Sequence, residues 1–370
     1  MDNGDCVDVI YTDFAKAFDK VPHKRLLKKL NSHGIGGKVW RWIESWLEDR
    51  QQRVCMDGVG SVWRRVTSCV PQGSVLGPIL FLIFINDIDD GISNEILKFA
   101  DDTKIFGKTS SQDCRDSMQK DTQILCSWAR DWQIEFNVGK CKSMHFGTKN
   151  VLQDYKMNGQ LLEKVTEEKD LGVMISNDLK VAAQCSQACN KANRMLGLMR
   201  RTISSRDPKI LTKLYKSLVR PHLEYCVAAW SPHYKKDKEK IERVQHRFTR
   251  LFKPLRNLGY NTRLQKLGLW TLEERRNRAD LIEVYKMCQG ISLIPLDTFF
   301  ERELDTRTRG HLWKLKKRHS RTDLRRHFFS NRVINRWNQL TLEAVMANSI
   351  NSFKNQLQKL RDTRMGFFMD

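Results

Sequence analysis

Two adjacent aspartates, Asp101 and Asp102, have the residue type and spacing of a metal-binding site. They lie between two short, mainly apolar runs, residues 96–100 and 105–106, which have the lengths of β-strands. The pattern predicts a β-hairpin that carries both carboxylates at its turn. Neighbouring carboxylates repel each other unless cations are close, and hard divalent cations such as Mg²⁺ bind carboxylate oxygens while keeping positions for phosphate.

A third carboxylate, Asp13, follows an apolar segment, residues 7–11, that has the character of a buried strand. A strand that ends in aspartate, placed beside a hairpin that carries two more, gathers three carboxylates at one point. Such a set can hold two metal ions ~4 Å apart, which clamp the attacking and leaving oxygens of a phosphoryl displacement. An aspartate pair without Asp13 is more typical of a solvated turn.

Three motifs in this order resemble the palm motifs of reverse transcriptases of non-LTR retrotransposons, of the LINE type and jockey-like. They are Tyr-Thr-Asp-Phe-Ala-Lys-Ala-Phe-Asp at 11–19, Val-Pro-Gln-Gly-Ser-Val-Leu-Gly-Pro at 70–78 and Phe-Ala-Asp-Asp at 99–102. Similarity continues through residues 140–146 and 171–175. The resemblance implies an RNA-directed DNA polymerase that adds deoxynucleoside triphosphates to a DNA primer 3′-hydroxyl on an RNA template.

The resemblance also implies roles for the charged residues of the motifs. Asp13 and Asp101 would bridge two Mg²⁺ ions, with Mn²⁺ as an alternative, and Asp102 would lie adjacent in the site. Lys140 occupies the position of a lysine that neutralises or protonates the leaving pyrophosphate, and Lys142 is a close competitor for that role.

Phe18, Gln72 and Gly73 are the residues that the resemblance assigns to the nucleotide and the template. The Phe18 ring would fill the space that a ribose 2′-hydroxyl needs, although a core aromatic is the simpler interpretation and both roles are compatible. Gln72 and Gly73 would lie under the nascent base pair, because glycine has no Cβ and the glutamine amide can donate and accept. Cys69 departs from the family, which more often has glycine there.

Charge separates the two halves of the chain. The formal net charge is +22, and residues 181–370 hold 40 Lys and Arg against 17 Asp and Glu, which indicates a polyanionic partner. Aromatic side chains interleave with basic clusters near the C-terminus, a pattern typical of nucleic-acid binding, with a solvated basic face as the alternative. The predicted nucleic-acid-binding residues are Lys316, Lys317, Arg318, Arg321, Arg325 and Arg326.

The predicted architecture is α+β. It consists of a right-hand polymerase palm at residues 1–180, an antiparallel sheet with packed helices that lacks most of the fingers, then a mostly α-helical thumb at 181–255 and a basic helical region at 256–370. The longest apolar run, residues 75–88, is shorter than the ~20 residues of a membrane span, so we expect no membrane partner. Zinc at Cys185 and Cys189 is disfavoured, because the usual ligand spacings are absent.

Two other functions compete with the polymerase. Family members have a fingers region ahead of the first motif that brings basic side chains to the triphosphate, and here that motif begins at residue 11. We therefore expect an N-terminally truncated enzyme, or alternatively a catalytically incompetent remnant that acts at most as an RNA- or DNA-binding protein. A two-metal nuclease leaves the Pro-Gln-Gly loop without a role. We expect the protein in the nucleus and the cytoplasm, as part of a ribonucleoprotein.

Overall fold

The computed structural model describes residue 2, residues 4–303 and residues 311–369. Contacts along the backbone divide the chain into two compact units, one ending at Thr166 and the other beginning at Glu167. The first unit mixes strands and helices, and the second is mostly helical apart from one hairpin. The mixed α and β content predicted from the sequence is confirmed, and the three-part division at residues 180 and 255 stays a prediction.

The first unit is built on eleven short strands and four helices within its described residues. The strands are β1 (Val7–Thr12), β2 (Gln51–Gln52), β3 (Cys55–Met56), β4 (Val59–Gly60), β5 (Arg64–Arg65), β6 (Glu95–Phe99), β7 (Asp102–Lys108), β8 (Lys142–Phe146), β9 (Lys156–Met157), β10 (Gln160–Leu161) and β11 (Glu163–Lys164). The helices are α1 (His23–Ser32), α2 (Gly37–Leu47), α3 (Leu76–Ile85) and α4 (Gln112–Trp132).

A five-stranded sheet in the order β11-β8-β1-β7-β6 organises this unit. β1 is the central strand and runs antiparallel to both β7 and β8. Its side chains alternate between buried and half-buried positions, as expected for a strand with one face on the core. Ile10 and Ile105 lie opposite each other on the buried face and join the hydrophobic core that includes α1, α3 and α4 residues.

A buried lysine ties three helices of this unit together. Lys29 of α1 donates to Asp87 Oδ1 at 2.5 Å and to the carbonyl of Phe84. The rings of Trp128 and Trp132 on α4 lie 4.6 and 3.7 Å from its ammonium group, close enough for cation–π attraction. Burial lowers the pKa of Lys29, and the hydrogen bond to Asp87 opposes that shift.

Asp8 forms a second buried polar network, on β1. Its side chain is fully buried, Tyr155 donates to it at 2.7 Å, Asn150 donates at 2.7 Å, and His145 Nδ1 lies 2.8 Å away. Burial alone would raise the pKa of Asp8, but these partners together lower it below its ordinary value. The carboxylate is therefore held ionised between β1 and β8.

The second unit begins with a hairpin and continues as helices. The strands are β12 (Glu167–Asp170) and β13 (Val173–Ser176), and the helices are α5 (Ala182–Thr202), α6 (Pro208–Leu214), α7 (Pro221–Glu224), α8 (Lys235–Thr249), α9 (Tyr260–Leu267), α10 (Leu272–Cys288), α11 (Asp323–His327), α12 (Phe329–Arg332), α13 (Ile334–Asn338), α14 (Leu342–Val345) and α15 (Ile350–Thr363). Residues 173–272 and 270–368 contribute separate hydrophobic clusters. Within the described residues, no helix is long and apolar enough to span a bilayer.

Helix α10 lies in the second unit and carries several buried charges. A capping box opens it, where Thr271 and Glu274 each accept from the other's backbone N–H. Arg276 donates to the carbonyls of Trp230 and Leu223 at 2.8 and 2.6 Å, and burial lowers its pKa to about 10. These bonds join α10 to the segment that follows α6, because each guanidinium donor meets a backbone acceptor that has no helical partner.

Replacing Asp8 with asparagine should make the sheet less stable and less sensitive to acid. Because the folded-state pKa of Asp8 is lowered, its contribution is fully present above its unfolded pKa of ~3.9 and is lost as the pH falls through the folded value. We expect the free energy of unfolding to fall by about 3 kcal/mol near neutral pH and by less below about pH 4. Hydrogen exchange of β1 and β8 amides measures it. Exposed Asp131→Asn is the control, and an equal loss at pH 3 and pH 7 would contradict the interpretation.

Candidate active site

The pairing of β1 with β7 positions the acidic residues. The last pair of this antiparallel ladder is Thr12 with Thr103, and one further step in the same register brings the backbone of Asp13 opposite Asp102. Thr12 and Thr103 are buried, so alternation places Asp13 and Asp102 together on the other face of the sheet. The predicted hairpin is confirmed, because β6 and β7 pair antiparallel through residues 95–99 and 102–106.

Asp101 occupies the two-residue turn of that hairpin. Phe99 pairs with Asp102, so Ala100 and Asp101 alone connect the strands. Ala100 has a φ of +53°, a left-handed conformation that tight hairpin turns require. The turn therefore holds Asp101 half-buried at the end of the sheet, next to the residue that faces Asp13.

One carboxylate oxygen of Asp13 has no hydrogen-bond donor. Asp13 Oδ2 is buried and accepts no hydrogen bond, while Lys140 Nζ lies 3.4 Å away as its ion-pair partner. The backbone around it is fixed, since Asn137 donates to the Asp13 carbonyl at 2.7 Å and the Cys141 thiol lies 3.4 Å from its amide nitrogen. Burial raises the pKa of Cys141 to about 11, so this thiol stays protonated beneath the site.

The carboxylate of Asp13 suits a hard cation. The Lys140 ammonium group compensates the charge of this buried oxygen only in part, since no hydrogen bond is formed, and a divalent ion would offset the remaining desolvation cost. The three aspartate side chains do not converge, however: no three His, Cys, Asp or Glu side chains in the described part of the chain come close enough to hold a metal ion. The three aspartates lie at the same end of the sheet, and a metal site formed by their three carboxylates remains a prediction.

The Pro-Gln-Gly loop is attached to the segment that follows Asp13. Gln72 donates to Asp19 Oδ1 at 3.1 Å, and the amide of Val70 donates to the Phe18 carbonyl at 2.8 Å. Gly73 has a φ of +82° at an exposed position, which favours glycine. Gln72 is thus held beside the first motif. Asp19, its partner, is a site residue that sequence reasoning missed, although its place in that motif was a signal.

Phe18 combines a core contact with a position beside this loop. Its ring stacks on Phe81 of α3, with centroids 4.6 Å apart and planes 19° from parallel. The side chain is only half-buried, so part of the ring remains accessible. A ring held against a rigid helix cannot move away easily, which is a property that a steric gate needs.

Lys140 and Lys142, the two candidates for the lysine that acts on the leaving pyrophosphate, have different partners. Lys140 is paired with Asp13 and is largely exposed, whereas Lys142 forms an ion pair with Glu163 on the neighbouring strand β11 and is 19% exposed. β8 and β11 run parallel with Glu163 opposite Lys142, so that pairing follows from the sheet register. Lys140 is therefore the lysine at the carboxylate.

The C-terminal basic cluster is partly paired with its own neighbours. Lys316 and Arg318 both contact Glu301, Lys317 donates to Asn335, and Arg326 pairs with Asp323. The six predicted nucleic-acid-binding residues all remain on the surface to some extent, and their role stays a prediction.

Comparison with known proteins identifies the family. The sequence profile described as reverse transcriptase (RNA-dependent DNA polymerase) matches residues 3–199, more than half of the chain. The chain belongs to this family. Among curated proteins it is similar to the RNA-directed DNA polymerases from mobile element jockey of Drosophila funebris, 29% identical over 255 residues, and of Drosophila melanogaster, 27% identical over 258 residues.

These relatives are much longer than the region that they share with this chain. The alignments cover 65% and 66% of the chain but only 28% of each jockey protein. A solved telomerase of Candida tropicalis, in complex with a TWJ fragment of telomeric RNA, aligns with 95% of the chain and 49% of its own length at 12% identity and a TM-score of 0.42. That score is too low to define the fold, so family membership depends on the profile match.

Cys69→Gly should stabilise the loop that carries Gln72. Cys69 has a φ of +128°, a conformation that costs a residue with a Cβ about 1–3 kcal/mol and costs glycine little. Glycine also raises the conformational entropy of the unfolded chain, which offsets part of this effect. We therefore expect the free energy of unfolding to rise by about 1 kcal/mol. Hydrogen exchange of the 66–85 segment measures it. Cys69→Ala is the matched control, since it removes the thiol but keeps the Cβ, and an equal gain in both variants would refute backbone strain as the cause.

Proposed function

We propose that this chain is an RNA-directed DNA polymerase that transfers deoxynucleotides to a DNA primer 3′-hydroxyl on an RNA template. The observation that carries the proposal is the β1–β7 register, which ends at the pair Thr12 with Thr103, so that Asp13 and Asp102 are the next residues at that end and Asp101 lies in the adjoining turn. In this proposal residues 1–180 form the polymerase palm, residues 181–255 form a helical thumb, and residues 256–370 form a basic helical C-terminal region. The family membership and the jockey-like relatives support the assignment.

Asp13 and Asp101 would hold two Mg²⁺ ions, or Mn²⁺ in their place, with Asp102 beside them. The buried oxygen of Asp13 that accepts no hydrogen bond supports this assignment. When bound, the cations supply acidification of the attacking hydroxyl and neutralisation of the triphosphate. The chain itself contributes position, because the Asp13 backbone is held by the hydrogen bond from the Asn137 amide and Asp101 lies in a two-residue turn.

Lys140 would act on the leaving group. Its ammonium group lies 3.4 Å from Asp13 Oδ2 and its side chain is 68% exposed, so it can reach an incoming triphosphate while staying close to the carboxylates. At that position it would neutralise or protonate the departing pyrophosphate, as a charged donor aimed at developing negative charge.

Phe18, Gln72 and Gly73 would select and support the nucleotide. The Phe18 ring is braced by Phe81 and would clash with a ribose 2′-hydroxyl, which favours deoxyribonucleotides. Gln72 is oriented by Asp19, which accepts one amide hydrogen and leaves the other and the carbonyl for a base or sugar. Gly73 leaves open space above its Cα, since a Cβ there would meet no atom within 4 Å.

A second candidate function is a nucleic-acid-binding protein without polymerase activity. The observation that favours it is that the side chains of Asp13, Asp101 and Asp102 do not come together. Among the described residues, no three His, Cys, Asp or Glu side chains are close enough to hold a metal ion. The basic character of residues 181–370 would then account for the whole function, through phosphate neutralisation.

Primer extension decides between these functions. Full-length protein with an RNA template, a DNA primer and Mg²⁺ should extend the primer, and Asp101→Asn or Asp13→Asn should lower the rate by at least about 10³-fold, since each removes a metal ligand. Asp131→Asn, an exposed aspartate on α4, should leave it unchanged. Undiminished extension by Asp101→Asn rules out the mechanism. Absent extension at every Mg²⁺ or Mn²⁺ concentration, with salt-sensitive RNA binding retained, establishes the second function.

Lys140→Ala and Lys142→Ala should separate the two lysines. Lys140→Ala removes the charged donor to the leaving group and should reduce the extension rate by about 10²-fold. The nucleotide KM should change little, because the negative charge that Lys140 stabilises develops in the transition state. Lys142→Ala, which breaks the pair with Glu163 and a 3.5 Å hydrogen bond to the Gly139 carbonyl, should stay within about threefold of the unmodified rate. Single-nucleotide incorporation kinetics measure both. Equal effects would mean that Lys140 acts through surface charge alone.

A further inference from the structure

A large groove lies within the second unit, away from every residue assigned a role above. Its volume is about 1130 Å³, and its walls come from the end of α5, the segment up to Pro208, the end of α8 with residues 250–256, and the end of α9. Small-molecule pockets have volumes of about 300–1,000 Å³, so this groove has the size for a larger occupant.

The rim of the groove is cationic. Two lysines line it, Lys253 and Lys266, and all of its cations are exposed. The arginines that line it are Arg200, Arg206, Arg247, Arg250 and Arg256. Its described lining contains no Asp or Glu side chain.

These cations lack acidic partners. Arg247 donates to the Asn193 side-chain amide oxygen at 2.9 Å, and Arg206 donates to backbone carbonyls of residues 200, 203 and 205. None of the rim cations forms an ion pair with a carboxylate among the described residues. Like charges gathered without counter-charge repel one another, so an anionic occupant would relieve the repulsion.

The floor of the groove is aliphatic. Leu251, Leu255 and Leu267 are half-buried, with part of each side chain open to the groove, and Pro254 adds to the apolar surface. The three leucines pack on the hydrophobic cluster of residues 173–272, so the floor is a preformed part of the core. Apolar surface exposed in a concave groove is typical of a protein-binding site.

The floor distinguishes a peptide from a single-stranded nucleic acid. Unpaired bases bind mainly by stacking on aromatic faces, and the one aromatic side chain in the described lining, Phe252, is 3% exposed. An amphipathic helix places aliphatic side chains in such a groove at positions i, i+3, i+4 and i+7 and turns its polar face to the rim. Acidic residues on that polar face would meet the arginines.

We propose that this groove binds an acidic amphipathic helix of a partner protein, with leucine-like side chains on the aliphatic floor and Glu or Asp side chains against the cationic rim. A helix of ~14 residues is ~21 Å long, enough to engage both sets of contacts. The proposal concerns an interaction surface and does not depend on polymerase activity.

Fluorescence anisotropy with full-length protein tests the proposal. The probe is a fluorescein-labelled 16-residue peptide with Leu at i, i+3, i+4 and i+7 positions and mainly Glu elsewhere. We expect saturable binding, and a matched peptide with Gln in place of every Leu should bind at least about tenfold more weakly, because it keeps the charge and loses the apolar face. Equal affinity of the two peptides, or no binding of the Leu peptide, overturns the proposal.

Charge reversal locates the binding site. Arg250→Glu with Lys266→Glu should weaken binding of the Leu peptide by at least about tenfold. Lys209→Glu with Lys213→Glu is the control, because it changes net charge equally at exposed residues of α6 that do not line the groove. Equal weakening by both pairs overturns the proposal. A 16-nucleotide single-stranded RNA is the competitor: if it binds through Arg250 and Lys266 and displaces the Leu peptide completely, the groove is a nucleic-acid site instead. Circular dichroism checks that each variant folds.

Discussion

Antiparallel pairing of β1 with β7 is the constraint on which the candidate active site depends. Side chains alternate along a strand, so a shift of one residue in this register would exchange the buried and accessible faces of the strand that shifts. Ile10 opposite Ile105 on the core face fixes the register through packing, and the same register leaves Asp13 and Asp102 as the next residues beyond the last pair, Thr12 with Thr103. Hydrophobic burial beneath the sheet thus aligns carboxylates on its opposite face, and the turn at Asp101 adds the third acidic residue.

Local patterns could be predicted from the sequence because they depend on neighbouring residues. The hairpin around Asp101 and the capping box at Thr271 follow from strand length, turn residues and helix-start chemistry within a few positions. The ion pair of Lys140 with Asp13 and that of Lys142 with Glu163 could not be distinguished, since alternative lysines two residues apart look equivalent until β8 is placed between β1 and β11. The cationic groove was missed because its lysines and arginines come from four separated segments.

Buried charge has a different use in each unit. In the first unit, Lys29 and Asp8 each join elements distant in sequence, and both are satisfied by several partners at once. In the second unit, Arg276 donates to the backbone carbonyls of Leu223 and Trp230, and Arg332 forms two hydrogen bonds with buried Asp280 at 2.8 and 3.0 Å. Removal of one partner from such an arrangement leaves an unpaired buried charge, so these residues are more constrained than the surface cations around them.

The sheet order has a consequence for how molecules of this protein behave in solution. β6 is an outer strand of the five-stranded sheet, and its side chains Leu97 and Phe99 are exposed. An outer strand presents a row of backbone donors and acceptors that another extended chain can pair with, and exposed apolar side chains strengthen that association. The acidic hairpin is therefore also open to intermolecular strand addition. Lys98 on β6, held by Asp89 at 2.6 Å, is the one charged side chain between those two apolar residues to oppose it.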